Sequence, residues 1–428
     1  MSPKARHVAI RPALIAGRCF TVNLFTGLLN CRVISKVANC MALADYLVVG
    51  SGLTGATIAR SLSDSRREVM MIERRPFIGG NVHDSVHPSG IRIHTYGPHY
   101  FRTGSAQIWG YAKRFSNFYD YKAELLTLVD GQHEHWPILQ NCVERLAGQN
   151  WTPAFSGTPH NFEEASLAMM PQIVYQKFVK GYTEKQWGVP ARTLSPELAK
   201  RFDVRSDHDT YLSRHRYQGI PSAGYSAWMQ RMLEGIPTIL NTDYLKSPES
   251  YHHRRAIIFT GPIDELFSYR LGRLKYRGQR RNHQFLPQID RYQPGVQVNN
   301  PGPTGSHVRT IEWKHLLEPK QAKDICGTVV TTETPYTATD PDNYEYPFPD
   351  SANQYLYRRY ADLARSVPGL VVCGRLGEYR YYDMDQAIGR AMVIAKHLLS
   401  ARKANIVDLA PLLRRGASEK VAGSRSPV

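Results

Sequence analysis

Asp45-Tyr-Leu-Val-Val-Gly50-Ser-Gly52-Leu53-Thr54-Gly55 is the stretch from which the fold follows. Its apolar run, unbroken until the glycine, is the pattern of a parallel strand buried on both faces. Residues 56–62 continue at helical spacing and Val69-Met-Met-Ile-Glu73 is a second apolar run, so the segment opens as strand, helix, strand. Gly50, Gly52 and Gly55 take the G-x-G-x-x-G spacing. The first permits the tight turn, the second lets backbone approach a pyrophosphate, and the third lets helix pack on strand. The helix that begins near Leu53 and Thr54 directs its first amides and partial positive charge at those phosphates. Glu73 ends the second strand eighteen residues after Gly55, where a carboxylate accepts hydrogen bonds from an adenosine ribose. The expected fold is α/β with a Rossmann-like dinucleotide-binding domain.

The residues just beyond select the dinucleotide. Arg74-Arg-Pro-Phe-Ile-Gly-Gly80-Asn81 places two glycines past the acidic residue, so backbone can run close to the flavin side of a bound ligand, which favours FAD over NAD. Gly369-Leu-Val-Val-Cys-Gly374 is a further short buried strand, followed by a helix from about Met384 to Ser400; this pair returns to the first domain and makes it discontinuous. Between them, residues 135–200 carry helix-like periods with prolines at the seams. Residues 250–345 alternate in segments such as Ala256-Ile-Ile-Phe259 and Gly327-Thr-Val-Val-Thr331. The expected organisation is an FAD-binding domain (41–120, 222–272 and 342–402), an inserted helical domain (135–200) and an antiparallel β-sheet substrate domain (121–134, 201–221 and 273–341).

Composition narrows the function classes. At 428 residues the chain exceeds one small core. Of its net charge of +17, residues 1–40 hold +6 with no acidic residue and residues 401–428 hold +4, leaving +7 for the body. A surplus of that size suits a small anionic substrate better than nucleic acid. Residues 1–40 are expected to be a disordered basic extension upstream of Met41, and 403–428 a flexible tail. The six cysteines show neither close pairing nor metal-ligand spacing, so reduced thiols, a cytoplasmic setting and no metal are expected. No run approaches the ~18 apolar residues of a membrane span.

Several further strings resemble the prokaryotic UDP-galactopyranose mutase family. They are Tyr96-Gly-Pro-His-Tyr-Phe101, Lys180-Gly-Tyr-Thr-Glu-Lys-Gln-Trp-Gly188, Arg216-Tyr-Gln-Gly-Ile-Pro221, Thr260-Gly-Pro-Ile-Asp264 and Gly374-Arg-Leu-Gly-Glu-Tyr-Arg-Tyr-Tyr-Asp-Met384. The likeness runs from about Asp45 to about Ser400. It implies a flavin-dependent isomerase that interconverts pyranose and furanose forms of a nucleotide sugar, UDP-galactose by default, without net redox change. FAD must then be reduced by an external reductant, flavin N5 attacks the anomeric carbon, and UDP leaves and returns. A homodimer is the expected assembly. Two cations must hold the departing diphosphate, and by the resemblance these are Arg205 and Arg309. Tyr182 stacks on uracil beside Phe178, Trp187 lies beside the sugar, and Tyr346 and Tyr381 reach the phosphates. Arg277, counted with the substrate-binding residues, and His99, counted with the catalytic ones though without a general acid/base role, lie near the flavin. Arg375, Tyr382, Asp383 and Met384 join Gly50, Gly52, Leu53, Thr54, Gly55, Glu73, Arg74, Gly80, Asn81 and His99 on the cofactor.

Two departures bear on the sugar. Arg102 stands where galactose enzymes show a second histidine, and a guanidinium there is longer, always charged and rich in donors. Leu212 stands at the position of a phosphate-contacting tyrosine unless the alignment shifts by one residue to Tyr211. An N-acetylated or 6-deoxy hexose on UDP or dTDP is the alternative substrate. An amine-oxidase-like FAD oxidoreductase is the alternative class, supported by the N-terminal motif alone.

Overall fold

The computed structural model describes residues 44–401 apart from Asp203. The expected extension (1–40) and tail (403–428) lie outside the described residues.

The opening unit forms the strand Ala44–Val49, the helix Leu53–Asp64 and the strand Val69–Ile72. Both strands enter an all-parallel sheet in the order Thr238–Ile239, Val69–Ile72, Ala44–Val49, His253–Phe259, Leu370–Val372. Successive side chains of a strand face opposite sides, which divides these residues between two cores. Tyr46, Val48, Met71 and Ile258 pack with Ala56, Ile388 and Ala391. Leu47, Ile72, Phe259 and Val372 pack with Tyr360 and Ala364 of the helix Ser351–Arg365. Each large apolar side chain so buried contributes about 1.5–3 kcal/mol. The helix Met384–Ser400 packs on Leu53–Asp64, and the Tyr46 hydroxyl donates to the Leu398 carbonyl.

A second sheet of seven strands runs Tyr346–Pro347, Tyr276–Leu286, Thr328–Ala338, Arg309–Glu312, Gln297–Asn299, Leu125–Val129, Gln132–Trp136. Its pairings are antiparallel except that of Gln297–Asn299 with Leu125–Val129. Ala256–Phe259 and Gly327–Thr331 alternate alike in sequence yet enter different sheets, because alternation reports a strand and not its partner. Register then sets a polar row across five strands: Arg281 opposite Glu333, Glu333 opposite Arg309, Arg309 opposite Asn299, Asn299 opposite Thr127. A third, small sheet pairs Phe101–Thr103 and Phe118–Asp120 with Tyr217–Pro221, setting Arg102 opposite Gln218.

The helical segment starts at Gln140, after the short strand Ile138–Leu139, and ends in the 3-10 turn Pro196–Arg201. Within it a π-helical turn, Tyr175–Lys180, runs directly into the helix Gly181–Trp187. Val143, Phe162, Val174 and Tyr175 form a separate core beneath these turns. Among the described residues no helix is long and apolar enough to cross a membrane, no acid, histidine and cysteine cluster is placed to hold a metal, and Cys142, Cys326 and Cys373 are free thiols.

Candidate active site

The glycine turn builds a cleft along the ends of the parallel strands. Gly50 has φ +101°, and a Cβ there would collide with Thr260 Oγ1. Gly52 bridges to Gly79, and a Cβ on Gly80 (φ +55°) would come within 2.8 Å of Gly52 Cα. A Cβ on Gly52 itself would meet only Gly80 Cα at 4.0 Å, so that side of the turn is open. Gly52 N-caps the helix without a side-chain acceptor, which leaves its first amides for an anion.

Glu73 lines the cleft with its carboxylate already oriented. Oε2 accepts from the Ser51 N–H (2.8 Å) and hydroxyl (2.7 Å), and Oε1 from the Arg75 N–H (2.9 Å). A carboxylate has about four acceptor sites, so capacity remains for a ribose hydroxyl. Arg74 forks onto Glu265 at 2.8 and 3.2 Å. Every expected cofactor residue except Asp383 lines this cleft; Asp383 faces the neighbouring cavity. The residues fit a flavin dinucleotide: glycine backbone at the phosphates, an oriented acid at the ribose, and His99 Nδ1 at the far end, buried without a hydrogen-bond partner among the described residues.

Asn81, His99, Arg375, Tyr382 and Met384 line both the cleft and a larger cavity of about 960 Å³, so the two are continuous. His99 sits at this junction as a neutral ring. Burial pushes its pKa down to about 3, with His94 and Arg375 adding to the effect. His94 behind it is likewise lowered to about 3 by burial and by Arg92, and its Nδ1 accepts the His99 N–H at 3.0 Å.

Eight basic and two acidic side chains line the larger cavity, the balance expected for a dianionic ligand. Phe178 and Tyr182 come from adjacent turns of the π-helical and α-helical run, with Trp187 one turn on, edge-on to Phe348 at 5.7 Å. The rings of Tyr346 and Tyr381 stack at 6.1 Å and 13°. Arg309 is held by Glu333 at 2.5 Å. Arg281 binds the other oxygen of Glu333 at 2.8 Å and forks onto Glu345 at 2.8 Å through both terminal nitrogens. Burial would raise the Glu333 carboxyl, but Arg309 and Arg281 outweigh it and hold it below the ordinary carboxylate value. This four-residue network, two cations and two anions, fixes Arg309 at the cavity wall.

Other expected residues are placed differently. Arg277 lines neither cavity: its guanidinium donates to the Gln186 carbonyl (2.8 Å), the Lys185 carbonyl (3.3 Å) and Thr337 Oγ1 (2.8 Å). Those carbonyls lie at the C-terminus of the helix Gly181–Trp187, where a cation satisfies orphan acceptors and the helix dipole. Arg277 is thus a clasp on the aromatic helix, placed apart from the cavity lining where a substrate contact was expected. Arg205 lies in the cavity wall, but its guanidinium bonds the Asp209, Tyr211 and Leu212 carbonyls and the Asp209 carboxylate at 3.2 Å. Leu212 lines the cavity, whereas Tyr211 is exposed outside it. Arg102 lines the cavity and reaches Asp383 at 3.4 Å.

Sequence reasoning missed Arg201, whose guanidinium stands in the cavity 4.0 Å from the Tyr381 ring centre, and the supporting pair Arg281 and Glu345. Lys-Arg at a turn reads as a solvated surface pair, and a cross-strand ion pair has no signal before register is known.

Comparison with known proteins agrees with this geometry. A family model for UDP-galactopyranose mutase matches residues 177–381, and one for an NAD(P)-binding Rossmann-like domain matches residues 48–115. A probable UDP-galactopyranose mutase of Klebsiella pneumoniae is 31% identical over 373 residues, covering 83% of this chain and 95% of that protein. A dTDP-fucopyranose mutase of Escherichia coli is 28% identical over 380 residues, covering 83% and 99%. The crystal structure of a reduced UDP-galactopyranose mutase matches with a TM-score of 0.67 at 15% identity, covering 88% of this chain and 98% of that one; a putrescine oxidase matches at 0.53 and 12%, a likeness of fold alone. With the glycine cleft, the arginine and tyrosine cavity and near full-length similarity all in agreement, the chain belongs to the UDP-galactopyranose mutase family.

Proposed function

We propose that this protein is a flavin-dependent mutase interconverting the pyranose and furanose forms of a nucleotide sugar, UDP-galactose foremost, with FAD in the glycine cleft. The observation that carries it is the continuity of the two cavities through His99, Arg375 and Met384, which sets a cationic, aromatic chamber against one end of a dinucleotide site. Reduced flavin supplies the nucleophile toward the anomeric carbon.

The chain's own residues bind and orient. Arg309, held rigid by Glu333, meets the charge that grows on the departing diphosphate. Tyr346 and Tyr381 offer hydroxyls beside it, and Phe178 and Tyr182 offer faces to the base. Arg205 joins when closure of its loop exchanges carbonyl partners for phosphate oxygens. His99 stays neutral, so it shapes the junction and does not donate charge. An external reductant, a homodimer, a cytoplasmic location and the three-domain division complete the proposal on the strength of the family.

The test is anaerobic incubation of dithionite-reduced and oxidised enzyme with matched pyranose and furanose nucleotide sugars, read by chromatography. Reduced enzyme should turn over and oxidised enzyme should not; equal turnover by both would sink the reading. A 6-deoxy sugar on dTDP is the second reading, favoured by Arg102 at the cavity wall and by the similarity to the dTDP-fucopyranose mutase.

A further inference from the structure

Arg201 ends the 3-10 turn Pro196–Arg201 and opens onto the larger cavity. Its guanidinium lies over the face of Tyr381, 4.0 Å from the ring centre, and Arg375 lies over the same ring at 4.9 Å. Tyr381, Asp383, Tyr346 and Tyr182 are among the groups that act on its charge.

Of the other seven cations at the cavity, all but Arg216, whose guanidinium lies 5.3 Å from the Tyr217 ring centre, are matched by protein groups, Lys200 by Glu197. Arg309 has Glu333, Arg102 has Asp383, Arg205 has Asp209, and Arg214 has Asp207 and Asp209. Arg375 donates to the Glu345 and Tyr382 carbonyls. Arg201 makes no hydrogen bond or ion pair among the described residues. A guanidinium carries five donors in a planar fork suited to phosphate. One held on the ring face of Tyr381, in the cavity that Tyr182 and Tyr346 also line, is placed to receive an anion there.

We propose that Arg201 is a substrate contact that binds the diphosphate of the nucleotide sugar, alongside Arg309. This rests on the nucleotide-sugar reading above and adds to it a residue that the sequence strings did not mark. The competing account is that Arg201 only props Tyr381.

The experiment measures binding of UDP, UMP, uridine and inorganic pyrophosphate to the FAD-loaded full chain, as parent, Arg201→Gln and Arg201→Lys, with FAD content and melting temperature as controls. A charge-assisted phosphate contact predicts that Arg201→Gln weakens UDP about tenfold or more and leaves uridine within about twofold, and that Arg201→Lys recovers part of the loss. Equal weakening of UDP and uridine would show a prop on Tyr381 and overturn the proposal, as would unchanged UDP affinity. If Arg201→Gln loses FAD or folds poorly, Arg201→Lys decides on the UDP to uridine ratio alone. A parent that binds inorganic pyrophosphate but not UDP would overturn the nucleotide reading and leave the anion site to be judged on pyrophosphate. A parent that binds UDP in a manner indifferent to both substitutions would overturn this inference and spare that reading.

Discussion

Arg309 reaches the cavity as one member of a cross-strand row, with Glu333 between it and Arg281, so its position is set by two neighbouring strands. Arg309→Ala should lower kcat/KM at least tenfold, because a lost charge-assisted pair costs about 1.5–3 kcal/mol. Arg309→Lys should recover little, since a compact ammonium lacks the planar fork that engages Glu333 through Nε and leaves the terminal nitrogens for a phosphate. Parent-like kinetics for both would remove Arg309 from the clamp. Arg102 is the residue on which sugar choice turns. Its ion pair with Asp383, at 3.4 Å, is long, and both residues line the chamber. Arg102→His should therefore change the ratio of kcat/KM for UDP-galactose against N-acetylated or 6-deoxy analogues, since a buried donor matched to a polar substituent discriminates more strongly than a methylene. An unchanged ratio would mark Arg102 as a structural partner of Asp383.

The element that decides the base and sugar side is the run from the π-helical turn Tyr175–Lys180 into the helix Gly181–Trp187. It projects Phe178, Tyr182 and Trp187 into one wall, and its C-terminus is tied to the seven-stranded sheet by Arg277. Gly188 then leaves the helix at φ +69°, the left-handed turn that glycine tolerates at a helix end. Arg277→Ala should cost about 1–3 kcal/mol of stability in denaturant unfolding, since the carbonyls it satisfies are left buried and unpaired. It should also weaken UDP through the loosened helix while FAD content stays at the parent level. Full stability with a selective loss of FAD would instead return Arg277 to the cofactor.

At the scale of the whole molecule, the junction of cleft and cavity rests on two buried neutral histidines. His94 and His99 are each lowered from 6.5 to about 3, chiefly by burial. The unfolded chain takes up these protons first, so their contribution to stability is intact above about pH 6.5 and is lost as pH falls towards 3. His94→Asn keeps an acceptor for the His99 N–H but does not titrate. The melting temperature of this variant should fall less steeply than the parent's between about pH 7 and about pH 4. Parallel curves would assign the acid sensitivity to other groups.

The local chemistry of the cofactor cleft was legible in the residues themselves. A glycine turn between an apolar strand and a helix, closed by Glu73, has few other uses, because φ/ψ freedom and close backbone approach are properties of the residue. The aromatic strings were legible only through their resemblance to the family, and the fold then sets Phe178, Tyr182 and Trp187 on one helical run. What only the tertiary structure decided is which charges meet. Arg277 and Arg309 look alike in sequence, yet register turns one into a helix clasp and the other into a cavity wall. Arg201 and Lys200 are neighbours in a turn, yet one stands over Tyr381 and the other pairs with exposed Glu197. Long-range pairing and burial set the surroundings of a charge, and neither is encoded within the few residues on either side of it.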